Sequence, residues 1–103
     1  MEENNGFVQK MDRLAPNENV VGYLVPFGVW GVIAPFNFPM ALSAGMAAGA
    51  LVTGNTVVYK PSSDAPWTGT LLNKVLVDTG LPDGVFNLLN GAGSVSYTHL
   101  TLP

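Results

Sequence analysis

The sequence predicts an α/β fold, part of a doubly wound parallel sheet laid down in the order β-α-β-α-β. Three observations predict it. Short apolar runs of strand length alternate with longer stretches of helical character. The central run, Val29 to Ala34, is apolar without alternation, as strands buried on both faces of a parallel sheet are. The polar residues of an otherwise apolar chain gather just after those runs, at the carboxyl ends of the strands, where ligands sit in such sheets.

The elements follow in order. Phe7 to Leu14 reads as the end of a helix, stopped before Pro16, and Asn17-Glu18-Asn19 as a polar turn. Val20 to Val25 is a strand ended by Pro26, and Val29 to Ala34 the first strand of the parallel sheet. Pro35 to Pro39 is a loop, and Pro39 suits the first turn of a helix, where its missing N–H costs nothing. Met40 to Val52 is that helix. It is alanine-rich and apolar nearly all round, which predicts burial on most sides, with Gly54 as its stop. The Gly45/Gly49 stripe suits close packing against a sheet. Thr56 to Tyr59 is the next strand, ending at Lys60-Pro61. Ser62, Ser63 and Asp64 are candidate helix caps, Asp64 above all. Trp67, Leu71 and Val75, with Leu72 and Leu76 beside them, make one face of an amphipathic helix ended by Gly80 and Pro82. Trp30 and Trp67 are expected in the core. Pro82-Asp83-Gly84 is a turn, Val85 to Leu89 the last strand, and Gly91-Ala92-Gly93 follows it. Helices between short strands imply parallel pairing with right-handed crossovers.

Length and composition bound the function. The chain has 103 residues, room for one small domain. Charged residues are 11% against 48% hydrophobic, where a soluble domain usually carries about 25% charge. Much of this surface is therefore expected to lie inside something larger. The net charge is −3 with 4 basic residues, so there is no basic patch for nucleic acid. There is no cysteine, which excludes disulfides, thiolate metal sites and a cysteine nucleophile within these residues. Met1 to Asn5 is acidic and polar, unlike a secretory signal. The most apolar stretch, Met40 to Val52, is 13 residues long, whereas a membrane-spanning helix needs roughly 20.

Two residues stand out at the strand ends. Asn37 lies between a buried strand and a buried helix; its carboxamide suits donation to an oxyanion, or a bond to its own backbone. Lys60 suits ribose hydroxyls or a phosphate, or else keeps a strand end soluble. Phe36 and Phe38 flank Asn37 and suit either a pocket wall or the core. Gly91-x-Gly93 is a turn more readily than a phosphate loop. No metal site is expected. His99 is set aside, because Val95 to Pro103 matches, without a gap, one reading frame of a sequencing-library adapter. The natural sequence is expected to end at about Ser94.

Three segments carry a family signature. Pro26-Phe27-Gly28-Val29-Trp30-Gly31-Val32-Ile33-Ala34-Pro35-Phe36-Asn37-Phe38-Pro39 resembles the P-x-G-V-x-x-x-I-x-P-[WF]-N-[FY]-P of aldehyde dehydrogenases. Gly54 to Ser62 resembles their G-N-[TA]-V-V-x-K-P-[SA], and Gly80 to Asn87 their G-[LFV]-P-x-G-V-x-N. The order and spacing agree from about Val20 to Gly93. The resemblance implies a partial Rossmann-like NAD(P)-binding domain over 20–94, preceded at 1–19 by the end of a helix and a linker, and followed at 95–103 by the adapter-derived tail. It implies that Asn37 is the oxyanion-hole asparagine and that Lys60 binds the adenosine ribose. Ala34, Pro35 and Phe36 would give the cofactor backbone and wall contacts, Asn37 would border the cofactor as well as the substrate oxygen, and Ser62 and Ser63 would lie by the ribose. Many NAD-preferring relatives have glutamate where Ser63 stands, so NADP remains open beside NAD.

The resemblance further implies a cytoplasmic oxidoreductase that converts an aldehyde to a carboxylic acid, a parent homo-oligomer, and no nucleic-acid or membrane partner. Ala44 to Asn55 and Lys60 to Asp64 are similar to glutamate semialdehyde (1-pyrroline-5-carboxylate) dehydrogenases. The family's cysteine, general-base glutamate and later glycine motif fall outside these residues. The polypeptide alone is therefore expected to be inactive and poorly soluble. A non-catalytic nucleotide-binding module and a small membrane hairpin are the competing classes.

Overall fold

The computed structural model describes residues 8–101. Met1 to Phe7, Leu102 and Pro103 lie outside them, and with them the expectations placed on Met1 to Asn5, on Phe7 and on the last residues of the tail.

The chain opens with an antiparallel pair, β1 (Val8–Lys10) and β2 (Val21–Tyr23), with Val8 opposite Tyr23 and Lys10 opposite Val21. This corrects the helix expected over 7–14. The Met11 N–H bonds the Val20 carbonyl at 3.0 Å, and Glu18 Oε2 accepts the Leu14 and Ala15 N–H groups at 3.2 Å each. Cross-strand pairing and a carboxylate-closed turn take the donors that a helix would have used.

The second sheet is parallel, in the order β3 (Val29–Ile33), β4 (Thr56–Lys60), β5 (Phe86–Leu88). Helix α1 (Pro39–Val52) links β3 to β4, α2 (Pro66–Asp78) links β4 to β5, and α3 (Gly93–Thr101) follows. This is the predicted β-α-β-α-β order. Pro39 does stand in the first turn of α1. Gly54, at φ 85°, turns the chain out of α1, and its N–H closes on the Leu51 carbonyl at 3.0 Å. Gly84, at φ 82°, makes the turn into β5.

Helix α1 packs on β3, β4 and α2, and α2 packs on β5. Helices that touch each other lie on one face of the sheet. The register sets Trp30, Val57 and Phe86, then Val32, Tyr59 and Leu88, on that face. Val32, Ala34, Ala47, Ala50, Val57, Tyr59, Leu72 and Phe86 form the buried core.

Several burial expectations are overturned by this one-sided layering. On β3 only Val32 is buried, and Val29 and Ile33 are exposed on the bare face. Trp30 is 46% and Trp67 70% exposed, so neither is a core residue. Helix α1 buries only Ser43, Ala47 and Ala50, a single stripe. A Cβ built on Gly45 or Gly49 meets nothing within 4 Å, so that stripe is not a close-packing surface. On α2 the inward face is Gly69 and Leu72, while Trp67, Leu71 and Val75 point outward. Phe36 and Phe38 are exposed too. No helix among the described residues is long and apolar enough to cross a membrane.

Candidate functional site

The carboxyl ends of the three parallel strands are tied together through Lys60. The Ala34 N–H bonds the Lys60 carbonyl at 3.2 Å, extending the β3–β4 ladder one step past β3. The Leu89 N–H bonds the Tyr59 carbonyl at 2.8 Å, extending β4–β5 likewise. The Lys60 side chain then folds over the strand ends. Its Nζ donates to the Pro61 carbonyl at 2.7 Å and to the Gly91 carbonyl at 3.0 Å. The residue is 6% exposed, which overturns the solubilising alternative. A buried ammonium is tolerated only when hydrogen-bonded. Among the described residues the one ion pair is Lys74–Asp78 on the surface, so carbonyl dipoles alone meet the charge of Lys60. An ammonium has three donors, and two are in use.

Ala34 is buried beside this lysine, while Pro35, Phe36 and Asn37 stand on the exposed loop beyond it. No hydrogen bond joins the Asn37 side chain to its own backbone, to Lys60 or to any other described residue. The backbone-bonding alternative for Asn37 is therefore not what the loop adopts. Ser62 is half-buried. Its Oγ accepts the Asp64 N–H at 3.2 Å, and its carbonyl accepts the Ala65 N–H at 3.1 Å. Ser63 is exposed. The cap expected of Asp64 is absent: Ala65 is the N-cap and makes no side-chain bond. The turn that opens at Ser62 and closes at Ala65 delays the helix to Pro66, which leaves Asp64 a residue too early.

The model of the aldehyde dehydrogenase family matches residues 2–102. The chain belongs to the aldehyde dehydrogenase family. It is 53% identical over 72 residues to the D-glyceraldehyde dehydrogenase (NADP(+)) of Picrophilus torridus, covering 70% of this chain and 15% of that protein. It is 49% identical over 70 residues to the 1-pyrroline-5-carboxylate dehydrogenase of Bacillus cytotoxicus, covering 68% and 14%. Among solved structures, lactaldehyde dehydrogenase from Escherichia coli superposes with a TM-score of 0.74 at 40% identity, covering 84% of this chain and 18% of that one. The chain thus spans about a seventh of the length of the curated relatives it matches.

Within this aldehyde dehydrogenase stretch the structure adds residues that sequence reasoning passed over. Asn55 is buried, and its carboxamide binds Phe27, Gly28, Ala50 and Thr53. Its signal was a polar residue directly after a positive-φ glycine. Ser43 and Tyr59 are fully buried and bonded to each other at 2.6 Å; a lone serine facing inward from an alanine helix was theirs. An apolar groove of about 410 Å³ lies elsewhere, between Phe27, Trp30, Met46 and Gly49 at the amino ends of the strands. It carries no titratable group. No cluster of metal-ligating side chains occurs among the described residues.

Proposed function

We propose that this stretch is the part of an NAD(P)-dependent aldehyde dehydrogenase that supplies the oxyanion donor and one anchor for the cofactor's ribose. The carrying observation is the buried Lys60 at the joined strand ends, with one N–H uncommitted, on a chain whose loop one strand away presents an unbonded asparagine. That ammonium suits the adenosine ribose hydroxyls, with the half-buried Ser62 beside it and the Ala34–Phe36 backbone as a wall. Ser63 places no negative charge against a 2′-phosphate, so NADP is accommodated as well as NAD. When bound, the nicotinamide cofactor supplies the hydride acceptor. Asn37 Nδ2 donates to the substrate oxygen as it gains negative charge during attack on the aldehyde carbon. The nucleophile comes from outside these residues, since the chain has no cysteine. The 103-residue polypeptide therefore oxidises no aldehyde by itself.

The test uses the full-length enzyme carrying this stretch. Asn37→Ala should lower kcat roughly 10²–10³-fold, the usual cost of an oxyanion donor, a far larger effect than on cofactor affinity. Lys60→Met should weaken NAD(P) binding about tenfold or more, as the loss of a charged hydrogen bond predicts, read by fluorescence titration. An unchanged kcat in the first variant, or turnover by the isolated 103-residue chain, sinks the assignment.

A further inference from the structure

The Asn37–Phe38–Pro39 elbow adopts a backbone conformation its own sequence disfavours. Phe38 stands at φ 48° and ψ 49°, the left-handed region where a Cβ crowds the following carbonyl. A following proline narrows the choice toward extended backbone, which makes this conformation less favourable still. Such a residue persists only where its surroundings over-determine it. The Phe38 ring is 76% exposed, so its own packing does not hold it. The Phe38 carbonyl is engaged by the Leu42 N–H at 3.1 Å.

Beneath the elbow a chain of polar groups runs from the half-buried Pro39 into the core. The Ser43 hydroxyl donates to the Pro39 carbonyl. A serine has one proton to give, so the Tyr59 hydroxyl is the donor in the 2.6 Å bond to Ser43 Oγ. Both residues are 0% exposed, in a core otherwise built of alanine, valine, leucine and phenylalanine. Burying two hydroxyls there confers no advantage over apolar packing unless their geometry matters. The remaining buried stripe of α1 is Ala47 and Ala50, which offers no large side chain to fix the helix along its axis. The polar chain does so, at the turn that begins two residues after Asn37.

We propose that Tyr59 and Ser43 are positioning residues, whose hydrogen-bond chain anchors the Pro39 carbonyl to β4 and thereby holds the strained elbow that presents Asn37. The proposal rests on the assignment of Asn37 as the oxyanion donor. Strand β4 then serves as the reference for both ends of the site: Tyr59 sets the elbow, and its neighbour Lys60 ties down the Gly91 segment.

Two measurements test this. The first is residue-resolved amide hydrogen exchange on the full-length enzyme carrying this stretch. Tyr59→Phe keeps the ring and its contact with Phe86, at 5.7 Å between centroids, and removes only the hydroxyl. It should speed exchange at Leu42 about fivefold, the worth of one buried hydrogen bond, and leave Val57 and Thr79 unchanged. Ser43→Ala should do the same, and the double variant no more than either. Equal rates at Leu42, or acceleration in proportion everywhere, overturns the anchor. The second is kcat in the full-length enzyme. Tyr59→Phe should lower it about five- to tenfold, since small displacements of a positioned group are costly, with cofactor affinity unchanged. In an Asn37→Ala background it should lower it no further. An equal fall in that background overturns the positioning role while Asn37 stands. An unchanged kcat in Asn37→Ala itself overturns the assignment of Asn37, and the positioning role with it, whatever the exchange data show.

Discussion

Asn55 shows how much one side chain can organise at the start of the sheet. Its Oδ1 accepts the Phe27 N–H at 2.5 Å and the Gly28 N–H at 2.8 Å, and its Nδ2 donates to the Ala50 carbonyl at 3.1 Å and Thr53 Oγ1 at 2.8 Å. One residue thus joins the entry of β3 to the exit of α1. Asn55→Ala removes two half-buried bonds from backbone donors and the buried bond to the Ala50 carbonyl, and a polar group left unsatisfied costs about 1–3 kcal/mol when fully buried. We expect a loss of roughly 2–4 kcal/mol in a urea titration. Asn55→Asp, which keeps the acceptors but turns an oxygen toward the Ala50 carbonyl, should rescue little of it. A loss under about 0.5 kcal/mol, the range of an ordinary surface change, would show that water replaces these bonds. The sequence marks Lys60 as a strand-end lysine and shows of Asn55 only that it follows the helix-ending Gly54. Neither burial was legible, because the deciding partners, Phe27 and Gly91, lie 28 and 31 residues away along the chain.

At the scale of the element, order was legible and orientation was not. Apolar spacing locates α2 and shows that it has a face, yet Trp67-Leu71-Val75 and Leu72-Leu76 are adjacent stripes, and only packing decides between them. Gly69 decides it here. A Cβ on Gly69 would lie 2.8 Å from Pro61 Cγ and 2.9 Å from Pro61 Cβ, so the helix must approach the β4 exit along that line. The same reasoning separates glycines that look alike in sequence. Gly69→Ala should destabilise the chain by about 1–3 kcal/mol through overpacking, which exceeds the roughly 1 kcal/mol that alanine gains in a helix. Gly45→Ala and Gly49→Ala meet nothing within 4 Å and should each stabilise by up to about 1 kcal/mol. Thermal melts of the three single variants check this. If all three shift the midpoint in one direction, steric approach is not what distinguishes these positions.

For the whole molecule the governing fact is how much apolar surface remains in water. The chain exposes 7689 Å², where a folded monomer of its mass, 10.8 kDa, exposes roughly 5,500 Å². The excess includes the bare face of the parallel sheet, where Val29 is 68% and Ile33 47% exposed. Along the sheet, β3 pairs only with β4 and β5 only with β4, which leaves two edges open among the described strands. A net charge of −3 offers little repulsion to set against this. The expected behaviour of the 103-residue polypeptide is self-association at micromolar concentration, read by light scattering on a chromatographically separated sample. Val29→Glu with Ile33→Glu should reduce that association by placing charge on the bare face and taking the net charge from −3 to −5 through two added carboxylates, while Thr70→Glu, at an exposed and already polar position of α2, should reduce it far less. A monodisperse monomer of the unaltered chain, unfolding in one cooperative step, would mean that this surface is covered by a rearrangement of the chain itself, and the exposed strand face could not be the cause of any insolubility.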